Sequence, residues 1–278
     1  MIKKVGAIVL LPLVICVIFF FSSREPNGPE MKIGVPDSAA ALIISYIVNE
    51  KMARSAGILE EFSVYPTKDC CTTTAEWALS TGALEIAVMC PEAAQRLIDK
   101  DSRYEIVGPC AVNSDVVVVR NQNGSGHKKI AVAYRRDFQK SLVERLFGRN
   151  ATAVPMVSSA IPFAYEKRAV DGVVIDILTG FQLQGKMIPS FGENGNLVTY
   201  VLVVRKTFKE NPFFRKFLDS YKDAVDDLSH DEILLTVAKS YGKREWSEEK
   251  VKQWKRMGVR FTLPWVQDLS KQSSPKMF

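Results

Sequence analysis

Beyond residue 30 the sequence carries four cysteines, Cys70, Cys71, Cys90 and Cys110, and each falls just after a predicted strand. Parallel strands lie about 4.8 Å apart, so their carboxyl ends would gather these sulfurs along one edge. Three chemistries are open to them. A disulfide from Cys90 to Cys70, Cys71 or Cys110 suits an exported chain in an oxidising compartment, and is sterically easier than one between adjacent Cys70 and Cys71. Reduced thiols would instead pack as small apolar side chains. A thiolate metal site would need further ligands, yet there is no CxxC pair, and His127 and His230 read as exposed residues of a loop and a helix start.

Other polar residues recur where a strand gives way to a helix: Pro36-Asp37-Ser38, Asp69-Cys70-Cys71-Thr72, Cys90-Pro91, Tyr134-Arg135, Ser158-Ser159 and Asp176. Any one of them reads equally as an ordinary helix cap. Their recurrence at six successive strand ends predicts a ligand cleft. In open α/β sheets ligands sit beyond the carboxyl ends of strands. Helix N-termini there offer unpaired N–H groups and partial positive charge, which suit an anion or a polar oxygen. Arg135 and Arg136 favour an anion further, whereas Asp37, Asp69 and Asp176 pull the other way if they face the cleft. No catalytic residue, metal ligand or cofactor site is assigned. The chain has no nucleophile elbow, Walker loop or HExxH motif, and Asp226-Asp227 and Glu248-Glu249 read as solvated helix-surface pairs.

The elements that must position these residues alternate at short intervals. Strands are predicted over 32–35, 61–65, 84–89, 104–107 and 115–120, with helices over 39–54, 75–80 and 91–100 between them. Such alternation predicts a parallel sheet faced by helices. A polar break at 121–127 precedes a second round: strands over 129–133, 151–157 and 170–175, and helices over 136–147, from 158 to about 168, and near 178–183. A long apolar strand over 197–205 follows, then Asn211-Pro212 opens a helix to about 228, and two more helices are predicted near 232–241 and 248–257. This predicts two Rossmann-like α/β lobes with a ligand cleft between them. One lobe is 31–114 plus 197–265, the other 115–196, with a loose tail over 266–278.

Lys3 and Lys4 precede a 17-residue apolar run over 5–21, closed by Ser22-Ser23-Arg24. As a helix the run would reach about 26 Å against a hydrocarbon core of about 30 Å. Residues 1–24 are therefore expected to be an export signal or an uncleaved membrane anchor, with 25–30 as a linker. Lys3 and Lys4 should stay inside, which places the remainder outside the cytoplasm. That segment also carries three of the +6 net charges and no acid. The balance left on the folded part does not predict nucleic-acid binding.

Residues 74–88 run from a helix through Gly82 into a strand, with Glu85 at its start; residues 165–175 repeat the phrase with Asp171 as the acid. This resembles the helix-Leu-x-x-Gly-x-x-Asp phrase of type II periplasmic binding proteins, in particular the nitrate, sulfonate and thiamine-precursor group. The segment 201–205 followed by Asn211-Pro212 is similar to that group's return segment. The resemblance covers about residues 31–260. Glu85 departs from the usual Asp, and the first loops lack the group's frequent glycines. The resemblance implies two hinged lobes closing on a small-molecule ligand, a membrane permease of the ABC type as partner, a monomer, and no enzymatic activity. Two other classes share the features: an enzyme of the same fold that makes a thiamine pyrimidine precursor, thinly echoed by Cys70-Cys71, and a membrane-tethered ligand sensor.

Overall fold

A computed structural model describes residues 31–52, 62–67, 73–120, 126–192, 195–241 and 245–265. The expected export segment, linker and tail, together with Asp69, Cys70, Cys71 and Thr72, lie outside the described residues. Along the chain run β1 (Met31–Pro36), α1 (Ala39–Tyr46), a π-helical turn (Ile47–Met52), β2 (Phe62–Thr67), α2 (Thr73–Ser80), β3 (Ile86–Met89), α3 (Pro91–Lys100) and β4 (Tyr104–Val112). A second set follows: β5 (Asp115–Val119), β6 (Lys128–Ala133), α4 (Asp137–Phe147), β7 (Ala151–Met156), α5 (Ile161–Glu166), β8 (Gly172–Asp176), α6 (Ile177–Gly180) and β9 (Lys186–Pro189). The chain then passes through β10 (Val198–Arg205), α7 (Lys206–Lys209), α8 (Pro212–Asp227), α9 (Asp231–Ser240), α10 (Glu248–Arg256) and β11 (Arg260–Phe261).

Two sheets result, ordered β11-β4-β10-β3-β1-β2 and β7-β6-β8-β5-β9. The parallel sheet expected from the alternation is only partly present. β1, β2 and β3 run parallel, but β10 enters between β3 and β4 antiparallel to both. In the second sheet β6, β7 and β8 run parallel, while β5 runs antiparallel to both its neighbours, β8 and β9. The physical reason is the path of the chain. β4 leaves the first sheet at the edge where β10 comes back, so the returning strand has to run the opposite way. β9 was not anticipated: Lys186–Pro189 is short and only partly buried, which leaves little hydrophobic signal.

Strands covered on both faces read as continuous apolar runs, and β3, β5 and most of β10 are buried throughout. Helix α1 is apolar on every side, with six consecutive residues from Ala39 to Ile44 buried, so it packs inside the first half rather than on its surface. Helix α8 covers it with one face only. Its Phe214, Phe217 and Tyr221 are buried at helical spacing and pack in sequence, with ring centroids 6.4 and 6.0 Å apart. Each such ring contributes about 2–3 kcal/mol through burial. Asn211 starts this helix as the sequence predicts, its side chain accepting from the Phe213 amide at 2.9 Å with Pro212 at the first helical position.

Candidate ligand-binding site

The parallel strands decide which residues share an edge. In the first sheet, Asp37-Ser38 follow β1 and Cys90-Pro91 follow β3 at the same end. In the second, Tyr134-Arg135 follow β6, Ser158-Ser159 follow β7, and Asp176 ends β8, again at one end. The Tyr134 amide donates to the Met156 carbonyl at 2.8 Å and ties the first two of these together.

Side-chain contacts among the described residues join the edges of the two sheets. Asp176 caps its own short helix, Oδ1 accepting from the Leu178 amide at 3.0 Å. The same carboxylate accepts from the Ala39 amide, the first residue of α1 in the other half, at 3.1 Å through Oδ1 and 3.0 Å through Oδ2. The second contact runs in the reverse sense. Glu92, in the first turn of α3, accepts through Oε1 from the Phe138 amide near the start of α4 at 3.3 Å. Its Oε2 lies 3.8 Å from Arg136 Nε. Each half thus lends a carboxylate to a helix N-terminus of the other, where the orphan N–H groups and the helix dipole favour negative charge.

Behind Glu92 lies a buried ionic cluster. Arg136 is 3% exposed and Asp115 2%, and Arg136 Nη2 donates to Asp115 Oδ2 at 2.7 Å. Gln139 Nε2 donates to the same oxygen at 2.7 Å, while Gln139 Oε1 accepts from the Ala133 amide at 2.7 Å. The guanidinium also sits over the Phe138 ring at 4.3 Å. With Asp115 holding the Arg136 charge at the shorter distance, burial outweighs the arginine at Glu92 and raises its carboxyl from 4.5 to about 7.

The chain passes between the sheets at 113–114 and again between β9 and β10, and the two crossings are bonded to each other. The Asn113 amide donates to the Leu197 carbonyl at 2.8 Å, and the Leu197 amide returns to Asn113 Oδ1 at 2.7 Å. Asn113 Nδ2 donates to Asn196 Oδ1 and to the Gly258 carbonyl, both at 2.9 Å. Ser114 Oγ donates to Thr199 Oγ1 at 2.8 Å, and the Ser114 carbonyl accepts from the Ile177 amide at 2.8 Å, next to Asp176. Asn113 stands at φ 60°, a left-handed conformation that asparagine tolerates. A buried, satisfied polar network at paired crossings makes a defined hinge.

The sequence-predicted residues fall unevenly on this geometry. Asp37 is exposed beside the junction. Ser38 is 1% exposed, and its hydroxyl has no hydrogen-bond partner among the described residues although it holds the N-cap position of α1. Tyr134 and Arg135 are exposed at the second sheet's edge, the guanidinium 5.6 Å from the Tyr134 ring. Ser158 is half-buried and Ser159 exposed on that edge. Asp69, Cys70, Cys71 and Thr72 lie outside the described residues, so the facing of Asp69–Thr72 and Ser158-Ser159 is not described.

Cys90 is buried just before α3. Cys110 departs from expectation: it lies inside β4 rather than beyond it, with β10 between it and β3. Cys90 and Cys110 are not joined to each other. Burial pushes the free Cys110 thiol far above its ordinary value. His127 and His230 are exposed, and the described residues contain no cluster of three metal-ligating side chains.

Sequence reasoning passed over Glu92, Asp115 and Gln139, and it counted Arg136 toward an anionic ligand, whereas the buried Asp115 holds that charge. Asp115 alone carried a signal, as one acid opening the wholly buried run Asp115–Val119. A cavity of about 360 Å³ adjoins Asp37 along α1 and β2; Ser45, Asn49, Thr67 and Tyr241 are among its lining. No described helix is long and apolar enough to cross a membrane.

No family model matches the sequence, and no curated protein does either. Solved structures do. One is the ligand-binding component of an ABC-type import system from Staphylococcus aureus with zinc bound, at 13% identity and TM-score 0.61, covering 83% of this chain and 84% of that one. A second is the alkanesulfonate-binding protein SsuA from Xanthomonas axonopodis pv. citri bound to MOPS, at 12% identity and TM-score 0.61, covering 85% and 87%. A third is the lipoprotein Tp32 from Treponema pallidum, at 14% identity and TM-score 0.57, covering 84% and 99%. At such identities the likeness is one of fold, and the fold is the two-lobed α/β fold of type II periplasmic binding proteins.

Proposed function

We propose that this chain is the extracytoplasmic substrate-binding component of an ABC-type importer, taking a small polar or anionic organic solute between its lobes. On this reading residues 31–114 with 197–265 form one lobe and 115–196 the other. The chain acts as a monomer that delivers its ligand to a membrane permease, and it is exported or anchored through residues 3–23. It catalyses no reaction. The observation that carries the reading is the meeting of two sets of strand carboxyl ends across a paired hinge. Helix N-termini point there from both sides, in contact with carboxylates such as Asp176 on Ala39. An opposed pair of this kind binds by closing, because each half supplies donors that the other half's ligand contacts complete.

The test is a thermal-shift screen of sulfonates, carboxylates, nitrate and pyrimidines. A ligand at 100 times its dissociation constant stabilises a protein by about 2.7 kcal/mol. A hit expected from this reading raises the melting temperature in proportion to the logarithm of its concentration. A protein that instead converts one of these compounds is an enzyme, and the reading fails.

A further inference from the structure

The same site carries a second message, which rests on the solute-binding reading above. An N-terminal helix end open to a cleft is a place for an anionic oxygen, yet here that place is taken by the protein itself. Both Asp176 oxygens lie within hydrogen-bond distance of the Ala39 amide, from a strand in the other lobe. The Ser38 hydroxyl at the same helix end is buried and has no partner among the described residues. A buried hydroxyl without a partner is destabilising, so a ligand oxygen that accepted from it would gain what Asp176 leaves unused. Glu92 repeats the arrangement in reverse on the Phe138 amide.

We propose that Asp176 is an internal competitor: in the ligand-free protein its carboxylate occupies the anion position formed by Ala39 N and Ser38 Oγ, holding the lobes together until an anionic solute displaces it. Asp176 is therefore a specificity-determining residue. It sets a threshold that weakly interacting anions do not cross, and the displaced carboxylate must swing away from α1 as the ligand's oxygens enter. Glu92 acts as the matching contact in the reverse sense, from the first lobe to the Phe138 amide of the second.

The experiment uses the full-length protein and inorganic sulfate as probe, with Asp176→Ala and the near-isosteric Asp176→Asn. In thermal-shift titrations, both variants are expected to bind sulfate at least ten-fold more tightly than the wild type. Hydrogen exchange without any ligand gives an independent readout. Removing Asp176 should speed exchange of peptides covering Ala39 and also of peptides covering Phe138, which Asp176 does not touch. Weaker or unchanged sulfate binding in the variants would overturn the proposal, as would faster exchange confined to Ala39. Neither arm depends on the transported solute. If no compound in the screen binds, the solute-binding reading suffers while these two measurements still decide the role of Asp176.

Discussion

Gly82 and Arg168 stand at the same point of the same turn in the two lobes. At the end of α2 the Gly82 amide donates to the Leu79 carbonyl at 2.7 Å and the Ala83 amide to the Ala78 carbonyl at 3.1 Å. At the end of α5 the Arg168 amide donates to Tyr165 at 3.0 Å and the Ala169 amide to Ala164 at 2.9 Å. Both residues adopt left-handed backbone, φ 75° and 60°. Three residues on, Glu85 accepts from the Lys32 amide at 3.1 Å, and Asp171 accepts from the Lys129 amide at 2.8 Å. The repeated phrase in the sequence is therefore a repeated device, a helix stop followed by an acid that pins the neighbouring parallel strand.

The two copies differ in strain. An L-residue in this conformation costs about 1–2 kcal/mol, of which glycine recovers part after its greater chain entropy is counted. Arg168 is exposed, so Arg168→Gly removes no buried contact. It is expected to stabilise the protein by about 0.5–1 kcal/mol in chemical denaturation. Gly82→Ala should do the reverse by at least as much. Its new Cβ would meet Arg205 Nη2 at 3.1 Å and disturb that guanidinium's bonds to the Gly82 and Leu84 carbonyls. Equal effects at the two positions would refute the equivalence.

Asp115→Ala leaves the Arg136 guanidinium buried beside a carboxyl that burial keeps reluctant to ionise. Breaking a buried pair in this way costs about 3–5 kcal/mol. Urea denaturation should show a fall of that size with an unchanged slope. A loss under 1 kcal/mol would mean that Glu92 takes over as the arginine's partner.

Glu92 predicts a pH dependence. Its carboxyl is raised from 4.5 to about 7, mainly by burial, against Arg136, which lowers it, and Cys90, which raises it further. The protonated form is thus favoured in the folded protein. The resulting stabilisation is complete below the ordinary value and is lost as the pH rises through about 7. Glu92→Gln should therefore gain on the wild type between pH 5 and pH 8, by about 3 kcal/mol at most. A difference between the two proteins that stays flat with pH would dispose of this account.

Ser158→Ala with Ser159→Ala removes two hydroxyls from the second lobe's edge, where neither is fully buried. The expected result is a roughly ten-fold loss of affinity for a solute found in the screen, on the scale of one or two hydrogen bonds, with little change in melting temperature. Unaltered affinity would move the site away from the end of β7.

Alternation of strand and helix, the Asp176 and Asn211 caps and the internal echo were legible in the sequence, because each depends on residues only a few positions apart; Ser38 and Ser158-Ser159 cap no helix through their side chains. Asn211-Pro212 starts α8 for local reasons, and Gly82 stops α2 for local reasons. The mixed sheets were not legible. Whether β10 lies beside β3 or beyond β4 depends on pairing between segments about a hundred residues apart, and an apolar run looks the same in either direction. That one insertion moved Cys110 away from Cys90. Tertiary structure also decided between two adjacent arginines, burying Arg136 against Asp115 and leaving Arg135 at the surface, a choice that turns on which side of a strand end faces the core. The partner of Asp176 was equally hidden. Its side chain reads as a cap for its own helix, and it is one, but only the approach of the two lobes brings the Ala39 amide to the carboxylate's remaining lone pairs.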